Sequence, residues 1–151
     1  MTNKKKILVG ILPVYIAFVF IQSLFFKFSG APETVHIFTT LDTWATNTFG
    51  ISGLFVPPGI FNAYVIGSTE LVASILLLIG LFKGISLLRF AGALIALGVI
   101  TGAIFFHLFT PLGINVQGDG GTLFYMACGV WLAAVALLVL NKNAALSLLK
   151  K

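Results

Sequence analysis

The chain has 151 residues, of which 59% are hydrophobic and only 9% charged, against roughly 25% charged in an ordinary soluble domain. That length holds one compact domain, and that composition cannot supply a polar exterior, so a soluble fold is excluded and the lipid bilayer becomes the main partner. The net charge of +5 does not indicate nucleic acid, because the Lys and Arg residues border apolar runs instead of forming a face or stripe.

The first apolar run, residues 7–28, follows Lys4-Lys5-Lys6. It is longer than the apolar region of a signal peptide and no A-x-A cleavage site follows, so a retained first helix is predicted. Residues 32–47 come next. Pro32 suits a first helical turn, Glu33 is favoured there by the helix dipole, and Val35, Phe38, Leu41 and Ala45 recur at helical spacing. This pattern predicts a short amphipathic helix on the outer membrane surface, ending before Gly50.

Pro57-Pro58-Gly59 then redirects the chain into a second run, 60–82, followed by 87–109 and 123–140. Each run is long enough to cross a hydrocarbon core of about 30 Å. Lipid cannot satisfy backbone N–H and C=O groups, so a spanning segment is helical or part of a closed barrel. The runs are continuously apolar and lack the alternation of barrel strands. The predicted fold is an all-α membrane protein: a four-helix transmembrane bundle with the amphipathic helix on its outer face between the first two spans.

Four crossings put the N-terminal lysines, Lys83, Arg89, Lys142, Lys150 and Lys151 on one side, which collects eight of the nine basic residues. The positive-inside rule makes that side the cytoplasm, with both termini in it. Three of the four acids, Glu33, Asp42 and Asp119, fall in the opposite loops.

Glu70 lies near the middle of the second run, where an unpaired carboxylate costs several kcal/mol, so it is expected to face the bundle interior. Counting rise per residue puts Lys27 and His107 near the outer ends of their helices and Gln22 about 7–8 Å deeper, at the depth of Glu70 and within reach of the Lys27 side chain, with Asn62, Thr101 and Tyr125 available to complete a polar cluster. Two readings stay open. One is an ion pair that fixes helix register; the other is a pocket in the outer half that takes a polar headgroup, a quinone or a proton. Gly92-x-x-x-Ala96, Gly98-x-x-x-Gly102 and Gly129-x-x-x-Ala133 offer close helix approach, within one chain or at a homo-oligomer seam. The single cysteine, Cys128, permits no internal disulfide, and neither a metal-ligand spacing nor a nucleophile–base arrangement is present.

Leu24-Phe25-Phe26-Lys27-Phe28-Ser29-Gly30-Ala31-Pro32 resembles the first-helix exit of the DoxX family. Gly67-Ser68-Thr69-Glu70-Leu71, leading into Leu76-Leu77-Leu78-Ile79-Gly80-Leu81, is similar to that family's second helix. The resemblance implies a small bacterial inner-membrane protein, in a family where many members have no defined activity. It would be an accessory or anchoring subunit of a respiratory or redox-defence system, with a membrane or periplasmic redox protein as partner and a quinone as candidate cofactor. Lys27 and Glu70 match the family's charged positions, and His107 takes a third. A proton-linked transporter or channel using Glu70 is the alternative, and an autonomous membrane enzyme a third reading.

Overall fold

A computed structural model describes residues 3–148 and contains five helices: α1 (Asn3–Ser29), α2 (Pro32–Phe49), α3 (Ala63–Phe82), α4 (Ser86–Phe109) and α5 (Thr122–Leu148). Helices α1, α3, α4 and α5 are each long and apolar enough to cross a membrane. The protein is therefore a multi-pass, all-α membrane protein. Lys150 and Lys151 lie outside the described residues.

The helix limits depart from the apolar runs: α1 begins at Asn3, before the run 7–28, and polar side chains shift two further limits. Helix α3 starts at Ala63 because Asn62 caps it, its Oδ1 accepting from the N–H groups of Tyr64 and Val65 at 2.8 and 3.0 Å. Helix α5 continues past residue 140 because the polar side chain that ends the apolar run is paired. Asn141 is buried and donates to the Leu137 carbonyl at 2.8 Å.

The four spans form a ring in which α1 packs on α3 and α5, and α4 also packs on α3 and α5. Helices α1 and α4 face each other across the diagonal. Ile16, Phe20, Leu77, Val130 and Leu137 fill the centre, with Ala73, Ala93, Ala96 and Ala134 between them. In lipid no hydrophobic force draws helices together, so close backbone approach has to contribute. Gly92 supplies it: a Cβ there would stand 2.9 Å from both the Ala73 carbonyl oxygen and Leu77 Cγ. The groove formed with Ala96 thus seats α3 of the same chain. Gly98, by contrast, meets nothing within 4 Å. Phe18, Phe82, Leu132 and Val139 point outward, as expected of surfaces dissolved in acyl chains.

The two ends of the bundle differ. At one end a three-residue turn joins α3 to α4. At the other, α2 and the connections 50–62 and 110–121 share a small second core of Leu41, Ala45, Phe55, Leu112 and Val116, flanked by Trp44 and Phe106. Asp42 ties α2 to the first connection, its carboxylate accepting from the N–H groups of Gly53 and Phe55 at 3.1 and 2.9 Å. Gly50 ends α2 in the left-handed conformation, φ 71°. The expected amphipathic helix is present, but its buried face is Thr34, Leu41 and Ala45, with Val35 exposed. Leu41 and Ala45 of that face pack against the chain's own connections.

Candidate functional site

Glu70 stands seven residues into α3, about 10 Å below its start at 1.5 Å per residue, and is 5% exposed. Side chains of a helix lean toward its N-terminus. Lys27, in the last turn of α1, therefore reaches back into the bundle instead of outward to the rim. Its Nζ donates to Glu70 Oε2 at 2.8 Å and Oε1 at 3.1 Å.

One turn earlier on the same face, Ser23 Oγ accepts from Lys27 Nζ at 2.9 Å. The Ser23 hydroxyl hydrogen has two acceptors in range, Glu70 Oε2 at 2.7 Å and the Phe20 carbonyl at 2.8 Å. The ionised oxygen is the stronger attractor. Both carboxylate oxygens are thus used, and the ammonium offsets the charge that low-polarity surroundings would otherwise penalise.

The cluster has no polar continuation toward the opposite end of α3. Ser74, the next polar side chain on α3 toward the opposite end, is 1% exposed and donates to the Glu70 backbone carbonyl at 2.8 Å. Below it lies the fully buried Leu77. Two shallow surface grooves, one along Tyr64, Ser68 and Val72 and the other along Gly10, Val14 and Phe18, include neither member of the ion pair. Among the described residues no fully sealed side-chain nitrogen or oxygen lacks a partner.

Of the residues expected at this site, only Lys27 and Glu70 meet. Gln22 is exposed on the outside of α1. Asn62 is buried but spent on capping, its Nδ2 donating to the Gly59 carbonyl at 2.7 Å. Thr101 donates to the Leu97 carbonyl and accepts from Trp131 Nε1. Tyr125 is 66% exposed.

His107 is buried on α4, diagonal to α1, with Nδ1 2.6 Å from the Gly113 carbonyl oxygen. A carbonyl only accepts, so Nδ1 carries the proton in this bond. The ring meets Phe124 edge-on. His107 therefore organises the 110–121 connection, where the Asp119 carboxylate accepts from the loop N–H groups of Val116 and Gly121 and caps α5 by accepting from the Leu123 N–H. Burial opposes ionisation of Asp119, but those three N–H groups and nearby His107 outweigh it and lower its pKa.

Two polar features escaped the sequence reading. Ser23 is one. The other lies at the short-turn end, where Arg89 is only 8% exposed. Its Nη1 donates to the Gly80 carbonyl at 2.6 Å and its Nε to Asn141 Oδ1 at 3.2 Å.

No protein-family model, no curated protein and no solved structure matches the chain.

Proposed function

We propose that this multi-pass protein is a DoxX-like accessory or anchoring subunit of a bacterial respiratory or redox-defence system. In this reading it sits in the inner membrane with both termini in the cytoplasm and the α2 end outside. The observation that carries it is the full pairing of the Glu70 carboxylate. A carboxylate gripped by Lys27 and Ser23, with no sealed side-chain nitrogen or oxygen left unpaired among the described residues, clamps α1 to α3 and suits a scaffold that keeps its shape while a partner performs the chemistry. Proton-linked transport would need Glu70 to reach both faces, and the Ser74 bond and Leu77 packing argue against that route.

A lipid or quinone head group would meet the cluster at the Lys27 side chain, which is 16% exposed. Affinity purification from native membranes tests the subunit reading: a redox protein should be recovered in fixed stoichiometry, and repeated isolation of the chain alone would sink it. Quinone content of the purified wild type and of Glu70→Gln tests the cofactor. Loss in the variant supports a quinone at the pair, and negligible quinone in both removes it.

A further inference from the structure

The Arg89 guanidinium is a buried cation without a counter-charge among the described residues. All four carboxylate side chains of the sequence are far from it along the fold. Glu33, Asp42 and Asp119 lie at the α2 end, and Glu70 is held by Lys27. At the short-turn end the described residues offer only more positive charge. Lys83 stands on the turn itself, Lys142 follows the asparagine that Arg89 contacts, and Lys5 and Lys6 open α1.

The neutral partners of Arg89 explain its position without satisfying it. The Gly80 carbonyl is one of the acceptors left free where α3 ends, so Nη1 caps that helix and meets the negative end of its dipole. Asn141 then fixes the plane of the guanidinium through Nε. A guanidinium has five N–H groups in a planar fork. Two are used by these bonds, and Nη2 has no acceptor among the described residues. No fully sealed side-chain nitrogen among those residues lacks a partner, so Nη2 reaches the surface.

We infer that the short-turn end holds a phosphate-type oxyanion on Arg89, supplied by the head group of an anionic phospholipid. The guanidinium fork matches two phosphate oxygens. Its level, in the first turns of α4, is where a basic site between spanning helices meets lipid head groups. Lys83 and Lys142, both exposed, flank the site and add attraction that salt screens. The buried fork supplies the part that salt does not.

The full chain, purified in a non-ionic detergent, is supplemented with phosphatidylglycerol or with phosphatidylcholine at equal mole fraction, and thermal unfolding is followed. Phosphatidylglycerol should raise the wild-type Tm by about 5 °C over phosphatidylcholine. Most of that gap should survive about 0.5 M salt, and Arg89→Gln should abolish it. Should Arg89→Gln fail to fold, native mass spectrometry of the wild type decides: phosphatidylglycerol is retained in preference to phosphatidylcholine, at one per chain. Millimolar inorganic phosphate giving the same gap would support the oxyanion site and assign it to free phosphate. No gap, a gap erased by salt, one unchanged in Arg89→Gln, or equal retention of both lipids overturns the proposal.

Discussion

Ser23 and Lys27, one helical turn apart on α1, grip the same oxygen of Glu70 at 2.7 and 2.8 Å. The lysine supplies the charge and the serine holds the lysine in place. These contributions separate on mutation.

Lys27→Ala leaves a buried carboxylate without its cation and should destabilise the bundle by about 3–5 kcal/mol. Lys27→Met combined with Glu70→Leu removes both charges and should recover most of that loss. Denaturant unfolding of the two variants in detergent checks this. Equal destabilisation by both would mean that the pair contributes through shape and not charge.

Ser23→Ala keeps the ion pair and removes one bond to each partner. A loss of about 1 kcal/mol is expected, well below that of Lys27→Ala. Gln22→Ala, on the exposed side of α1, should leave stability unchanged in the same assay.

Two glycines of α4 should respond oppositely to alanine. Gly92→Ala drives a methyl against the Ala73 carbonyl and Leu77 of the facing helix, each 2.9 Å from where the new Cβ would stand. It should cost about 1–3 kcal/mol. Gly98→Ala enters open space and should gain about 0.5–1 kcal/mol from helix propensity. A loss at Gly98 comparable to that at Gly92, read by thermal unfolding, would reveal a neighbour seated on that face.

Acid should loosen the α2 end first. The N–H of Phe55 is the main cause of the lowered Asp42 pKa, and burial opposes it while the Gly53, Leu54 and Val56 N–H groups add to it. A carboxylate with a depressed folded pKa stabilises the fold above its unfolded value, near 3.8 here, and loses that contribution as pH falls through the folded value. Trp44 packs on Phe106 within this end, so its fluorescence in a Trp131→Phe background reports the loss. The signal should hold at neutral pH and change only below the ordinary carboxylate range. In Asp42→Asn the acid transition should shrink.

The spans were legible because apolar length reports bilayer thickness directly. The partner of Glu70 was half legible. Rise per residue gives depth, which places Lys27 and Gln22 correctly along the axis, but depth says nothing of direction around it. At 3.6 residues per turn Gln22 lies about 140° from Lys27 and Ser23 about 40°. The i, i+4 spacing of Ser23 and Lys27 was the available signal. Arg89 reads from sequence as a topological flank, since nothing in a basic residue near a turn announces burial. Its role appears only once the short turn folds the start of α4 over the end of α3. Asn62 and His107 were legible as polar groups but not as groups already engaged, because capping and loop support depend on backbone atoms that hydropathy does not describe.

The shared core of α2 with residues 50–62 and 110–121 has a consequence for anything approaching from that side. Segments far apart in the chain are stitched into one roof, so a protease or docking protein meets a single firm surface in place of separate loops. Damage to any one seam, such as the Asp42 bonds, should loosen distant stretches of the roof together.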